Sequence, residues 1–191
     1  MKLRLSYSLI QAFKSGNMER VINTYLRLPT EVSPAMQRGA DFDLATRMYI
    51  RDYKRLPPEL GGRKLVSPVS DQKDLKFVVE YNEDINLSFE LDTYDNPTIY
   101  EFKCSSAKDS STWSETGQLD FYFLGTELVG MPVKKAELFR YDPITKRYDS
   151  SLIWKVTRRL DRAEEQIKKY GYQIKEFLEG EGLLWKTKAG C

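Results

Sequence analysis

Between Ile85 and Cys104 the chain alternates with the two-residue period of a β-strand, and does so on both sides of a sharp turn. Ile85, Leu87, Phe89 and Leu91 alternate with Asn86, Ser88, Glu90 and Asp92. Asp95-Asn96-Pro97 follows as a turn, and Thr98 to Cys104 reads as the next strand. Side chains two apart share a face, so Glu101 and Lys103 lie on one face of this strand and Tyr100 and Phe102 on the other. A hairpin centred on Asp95-Asn96 sets Asp92 opposite Ile99 and Glu90 opposite Glu101. Asp92 and Glu101 are then diagonal neighbours, roughly 7–8 Å apart. An acid on one strand thus faces an acid-x-lysine triplet on the next.

Helical patterns surround these strands. Ser6 or Ser8 caps a helix running to about Leu28, with Gly16-Asn17 as a break, and Leu9, Ile10, Phe13, Val21, Ile22 and Tyr25 recur at helical spacing. Ser33-Pro34 starts a second helix that runs to Lys54, ahead of Pro57-Pro58. Lys76 to Tyr81 reads as a strand. A polar loop from Ser105 to Ser111 leads into a helix from about Ser111 to Val129, which Gly130-Met131-Pro132 ends. Val133 to Tyr141 and Arg147 to Val156 read as strands around Asp142-Pro143. Thr157 then caps an amphipathic helix to about Leu178. The order α-α-β-β-β-α-β-β-α predicts one α/β domain over residues 1–191.

Composition narrows the chemistry. The chain has no histidine, which excludes Ser-His-Asp and Cys-His catalysis and imidazole metal sites. Its two cysteines, Cys104 and Cys191, cannot form a four-cysteine zinc or iron–sulfur site. Any metal must therefore be held by oxygen, which favours Mg2+ or Mn2+. Cys104 reads as a buried structural residue. The formal net charge of +2 does not announce a nucleic-acid binder, so any basic surface must be local. The start Met-Lys-Leu-Arg-Leu-Ser lacks the apolar run of a signal peptide, and no stretch is long enough to span a membrane. A cytoplasmic location is the expectation.

The acidic strand face has a specific use. Phosphodiester hydrolysis needs a cation to neutralise phosphate charge, a positioned water and a stabilised leaving oxygen. Asp92 and Glu101 can hold the cation, and Lys103 can orient the water. Lys103 acts as a base only if burial or a metal lowers its pKa. The alternative is an exposed sheet face carrying surface charges. Gln118 and Tyr122, four apart, lie on one face of the next helix; they can equally be a polar residue beside a half-buried tyrosine. Asp43 either serves as a further oxygen ligand or pairs with Arg47 at i,i+4 spacing, worth about 0.3–0.5 kcal/mol. Tyr7, Lys14, Arg20, Ser105, Ser106 and Lys108 flank these positions and read first as solvated surface. Phe121, Tyr122, Phe123, Trp113 and Leu124 read as core.

Taken in order, Gly39 with Asp43, Asp92, Glu101-x-Lys103 and Gln118-x-x-x-Tyr122 resemble the motif series of the PD-(D/E)XK nuclease superfamily, in particular its RecB-like exonuclease branch. The resemblance runs from Ser6 to about Tyr122. It implies a restriction-endonuclease-like core, a central mixed sheet of about five strands flanked by helices. It also implies a Mg2+- or Mn2+-dependent deoxyribonuclease acting as an exonuclease in phage recombination, DNA repair or defence. Asp43, Asp92, Glu101 and the backbone carbonyl of Phe102 would ligate the metal. Lys103, with Glu101 and Asp92, would be catalytic. Gln118, Tyr122, Ser6 and Ser8 would contact DNA. The sequence departs from the family at Asp43, which stands where a histidine is usual, and lacks the cysteines of iron–sulfur relatives, so no cluster is expected. The alternatives are a non-catalytic nucleic-acid-binding domain with this fold, and an α/β protein that assembles with a partner. No interface, with a partner protein or as a homo-oligomer, is legible.

Overall fold

The computed structural model describes residues 2–29, 31–104 and 117–186. The chain opens with a short strand, β1 (Leu3–Leu5), and three helices, α1 (Tyr7–Lys14), α2 (Met18–Leu26) and α3 (Pro34–Tyr53). Strands β2 (Lys76–Glu80), β3 (Ile85–Glu90), β4 (Thr93–Asp95) and β5 (Thr98–Cys104) follow, then α4 (Gln118–Leu128), β6 (Lys135–Asp142) and β7 (Arg147–Trp154). A long helical stretch closes the chain: α5 (Thr157–Gln166), a π-helical turn (Ile167–Gly171) and α6 (Tyr172–Gly180), before the short α7 (Leu183–Lys186).

The starts and stops follow the local chemistry. The Ser6 hydroxyl accepts the Leu9 N–H at 3.2 Å and begins α1. Gly16, at φ +72°, ends that turn, and Asn17 Oδ1 accepts the Arg20 N–H at 2.9 Å to begin α2. The expected break at Gly16-Asn17 is thus a full change of helix. Ser33 caps α3 through the Met36 N–H at 3.2 Å, with Pro34 in the first turn. Gly117, at φ +75°, precedes α4, so this helix begins at Gln118. The loop expected over 105–111, the beginning of the expected helix, Lys108, Trp113 and Cys191 lie outside the described residues.

Among the described residues, seven strands form two hydrogen-bonded sheets, ordered β1-β3-β2 and β4-β5-β6-β7. In the first, β1 runs parallel to β3 and β2 antiparallel to it. In the second, β5 and β6 are parallel, while β4 and β7 lie antiparallel on the two edges. The α/β class holds, with the expected central sheet divided in two. The division falls inside the alternating run that begins at Ile85. Leu91 still donates to the Leu75 carbonyl at 3.1 Å, but Tyr94 donates to Val69 at 2.9 Å. The chain changes sheets at Asp92.

This change corrects the expected pairing. Glu90 lies opposite Lys76, not Glu101, and Ile99 lies opposite Tyr94, not Asp92. The turn is centred one residue later than expected, on Asn96-Pro97, because Asp95 pairs with Thr98. Both Asp95 oxygens accept backbone N–H groups, from Ser67 at 2.8 Å and Val66 at 2.9 Å, and so fasten the preceding loop to the hairpin.

Two cores sandwich β5. The larger joins β1 and β3 to α1, α4 and the closing helix, with Phe121 and Phe123 fully buried. Gly125 brings α4 onto β3; a Cβ there would stand 2.3 Å from the Phe89 ring. The smaller core gathers Ile50, Leu56, Leu60, Leu65, Tyr100, Phe102 and Phe139. Phe42 stacks on Tyr141 with ring centroids 4.9 Å apart, which seats α3 against β6.

Candidate functional site

The packing of β5 between two cores decides where its polar residues go. Tyr100 and Phe102 enter the smaller core, so Glu101 must enter the other face, where it is 1% exposed. Its Oε1 accepts hydrogen bonds from Lys103 Nζ and, at 3.0 Å, from Gln118 Nε2. Its Oε2 is buried and has no hydrogen-bond partner among the described residues. Asp92, at the change of sheets, accepts the Phe102 N–H at 2.8 Å through Oδ2. The backbone of Phe102 therefore ties Asp92 to the strand that carries Glu101.

Asp43 approaches from α3. Its Oδ2 pairs with Arg47 at 2.7 Å, so the i,i+4 pair forms. Its Oδ1 is buried and unpartnered among the described residues. The pair and a ligand role are thus not exclusive, because they use different oxygens. Gly39, one turn earlier, faces open space: a Cβ there would meet no described atom within 4 Å.

These charges influence one another. Burial pushes the Asp92 carboxyl well above the usual carboxylate range, and Glu101 and Asp43 push it further. Asp43 is raised by burial, partly countered by Arg47. Burial pulls Lys103 down, but Glu101 and Asp92 outweigh it and hold the ammonium above the ordinary lysine value. In this arrangement Lys103 is a cation and not a base. Burial and the same two carboxylates raise the Tyr122 hydroxyl well above its ordinary value, keeping it protonated.

As the side chains lie, no three acidic or cysteine side chains among the described residues form a ready group of metal ligands. Glu101 and Asp43 each turn one oxygen toward a protein cation. The donor set still suits a hard cation: it is all oxygen, it concentrates negative charge, and it leaves two buried carboxylate oxygens without donors.

Gln118 links this cluster to a cleft. Its Nε2 also donates to the Tyr122 hydroxyl, at 2.7 Å. Gln118, Tyr122, Ser6 and Ser8 all line one cleft of about 550 Å3. The four candidate DNA-contacting residues are therefore brought together, beside Glu101. Sequence reasoning missed the cations of this cleft: Arg4, Arg27 and Lys76. Arg4 donates to Ser88 Oγ at 3.0 Å, and Lys76 pairs with Glu90 at 3.2 Å. Burial and nearby Arg27 pull the Arg4 guanidinium below its ordinary value. The alternation of β1 around Leu3 and Leu5 was the available signal for Arg4. Of the flanking residues, Tyr7 lines the cleft, while Lys14 lies over the Tyr170 ring at 5.7 Å. Cys104, expected to be buried, is half-buried at the strand end, with its thiol pushed up by burial.

The sequence matches no protein-family model and no curated protein. Several solved structures share its fold. One is an alkaline exonuclease from Laribacter hongkongensis, 15% identical, with a TM-score of 0.56 over 97% of this chain and 95% of that one. The same exonuclease in complex with dAMP gives a TM-score of 0.55 at 15% identity, over the same shares. A phage-related exonuclease from Haemophilus somnus is 13% identical, with a TM-score of 0.55 over 95% of this chain and 97% of that one. At these identities the likeness establishes that the chain has the fold of these exonucleases.

Proposed function

We propose that the chain is a divalent-cation-dependent deoxyribonuclease of the PD-(D/E)XK type, close to the RecB-like branch, that removes nucleotides from DNA ends. The observation that carries this reading is the convergence of Asp43, Asp92, Glu101 and Lys103, with two buried carboxylate oxygens left without donors among the described residues. Lys103 and Arg47 each pair with one of these carboxylates, and the oxygens they leave unused would suit a further hard cation. The exonuclease identity of the structural neighbours supports the choice of reaction, and phage recombination, repair or defence is the setting the resemblance suggests.

Asp43, Asp92, Glu101 and the Phe102 carbonyl would hold Mg2+ or Mn2+. When bound, that ion neutralises charge on the scissile phosphate and acidifies a water. Lys103 would orient the attacking water and balance charge on the phosphate. Gln118 fixes the Glu101 carboxylate through Oε1, and the Tyr122 hydroxyl accepts from Gln118. The cleft beside them would guide one strand, with Arg4 and Arg27 facing phosphate oxygens and Ser6 and Ser8 donating to them. The carboxylates are not gathered as a finished chelate, so metal binding includes the cost of moving Lys103 or Arg47 aside.

End-labelled DNA incubated with Mn2+ tests the reading. The natural protein releases nucleotides, and Lys103→Ala releases them at least about 100-fold more slowly. Equal release by both removes Lys103 from the chemistry. Binding of DNA without cleavage by either protein supports the second reading, a domain that keeps the fold and the cleft but not catalysis; Asp43 in place of histidine favours it.

A further inference from the structure

A second cleft, of about 440 Å3, lies where β6 begins and β7 ends, beside the start of β5. It is lined by Val133, Lys134, Trp154, Lys155, Val156 and Leu160, among others. Trp154 is 56% exposed, although it is the largest side chain type and sits on a regular strand. Its cross-strand partner is Lys135, whose ammonium lies 5.6 Å from the indole centroid.

The next pair along the same ladder is two lysines. Lys155 donates its backbone N–H to the Lys134 carbonyl at 3.0 Å, so these like charges stand opposite each other. Like charges opposed across a sheet are unfavourable. Glu127 relieves one of them by pairing with Lys155 at 2.9 Å. No carboxylate pairs with Lys134 or Lys135 among the described residues. Arg158, at the start of α5, adds an exposed cation. A protein surface with surplus positive charge around a half-exposed indole complements one common partner: a polyanion that also carries flat aromatic faces.

We propose that this cleft is a second nucleic-acid contact, in which Trp154 stacks on a base of an unpaired strand while Lys134 and Lys135 meet its phosphates. The choice of partner rests on the nuclease reading above; the patch itself does not. Thr98 pairs with Lys135 and Lys135 with Trp154. Glu101 and Lys103 lie three and five residues further along β5. At about 3.3 Å per residue and about 4.8 Å between strands, the Trp154 backbone stands roughly 14 Å from that of Glu101, and the register sets it on the Thr98 face of the sheet, opposite the Glu101 face. The contact is therefore with a flanking part of the strand and not with the scissile phosphate. A site of this kind holds DNA between successive cleavages, so it acts on affinity and on the length of uninterrupted digestion.

The test uses the full chain with a labelled oligothymidylate of about 15 nucleotides, in chelator, followed by fluorescence anisotropy. Trp154→Ala is expected to weaken binding about 10-fold, and Trp154→Phe to restore most of it. Lys134→Ala with Lys135→Ala is expected to flatten the dependence of log affinity on log salt by about 1.4. Hydrolysis of thymidine 5′-p-nitrophenyl phosphate with Mn2+, a substrate too small to reach Trp154, is expected to stay unchanged in every variant. Unchanged affinity and slope in variants that melt like the natural protein overturn the proposal. If Trp154→Ala melts early, the lysine pair alone decides it. Absence of ester hydrolysis in the natural protein, with Trp154-dependent binding intact, refutes the nuclease reading and leaves this site standing.

Discussion

Glu101 and Asp120 are both buried acids, one on β5 and one on the next described helix, and the protein treats them in opposite ways. Asp120, 2% exposed on α4, gives each oxygen its own guanidinium: Oδ1 to Arg159 and Oδ2 to Arg162, both at 2.7 Å. Its charge is balanced, its lone pairs are used, and it ties α4 to α5. Glu101 is buried just as deeply, but one of its oxygens has no donor among the described residues, and two more carboxylates stand nearby. The first arrangement is complete without a ligand. The second leaves an oxygen that a ligand could use. Burial alone does not separate these two arrangements; the unused oxygen does.

The contrast is broken most severely by Glu101→Gln. The amide keeps the shape and an acceptor for Gln118 but removes the negative charge. DNA hydrolysis with Mn2+ is expected to fall about 1,000-fold, or about 4 kcal/mol of activation free energy. Stability in urea is expected to change little, because the side chain still packs. Retained hydrolysis would make Glu101 a second Asp120. The reciprocal change, Asp120→Ala, strands two guanidinium groups against α4. It is expected to cost about 3 kcal/mol in urea unfolding, discounted from the usual range because Arg162 is 38% exposed. A loss below about 1 kcal/mol would mean that solvent replaces the carboxylate easily, and that the pair is not what closes the helix contact.

A smaller effect separates folding from ligation. Asp92→Asn keeps an oxygen that can accept the Phe102 N–H. It removes one of three mutually repelling carboxylates. The metal-free variant is expected to be more stable than the natural protein by about 1 kcal/mol. Mn2+ tells the rest. At about 100 times its dissociation constant an ion stabilises the natural protein by about 2.7 kcal/mol, and Asp92→Asn is expected to lose most of that gain. Calorimetric scans with and without Mn2+ measure both. A variant that is destabilised without metal, or that keeps the full metal response, would place Asp92 among the structural acids.

Much of this site was legible in the sequence, and for one reason. Strand periodicity fixes which residues share a face, so Glu101 with Lys103, and Tyr100 with Phe102, fell on the correct sides. Helical spacing did the same for Gln118 and Tyr122, which share one hydrogen bond. The failures came from contacts that periodicity does not encode. Nothing local marks Asp92 as the point where a continuous alternating run leaves one sheet for another, so the register was misplaced. β1 has three residues and draws its existence from pairing with β3, 82 positions away in sequence. The cations of the site cleft come from β1, from the end of α2 and from β2, and only the fold unites them.

The smallest prediction concerns Gly39, which the family resemblance singled out together with Asp43. Glycine inside a helix costs roughly 0.5–1 kcal/mol relative to alanine, and proteins retain it where a backbone or a ligand comes close. Within the protein no such reason is visible: a Cβ at Gly39 would meet no described atom within 4 Å. Gly39→Ala is therefore expected to stabilise the free protein by about 0.5–1 kcal/mol in urea. If the open space beside Gly39 belongs to DNA, the same variant weakens binding of an oligonucleotide while leaving hydrolysis of thymidine 5′-p-nitrophenyl phosphate intact. A stabilised variant with undiminished DNA affinity would separate Gly39 from the functional acids and group it with the ordinary surface of α3. Loss of stability would instead reveal a close neighbour of α3 that the packing of the described residues does not contain.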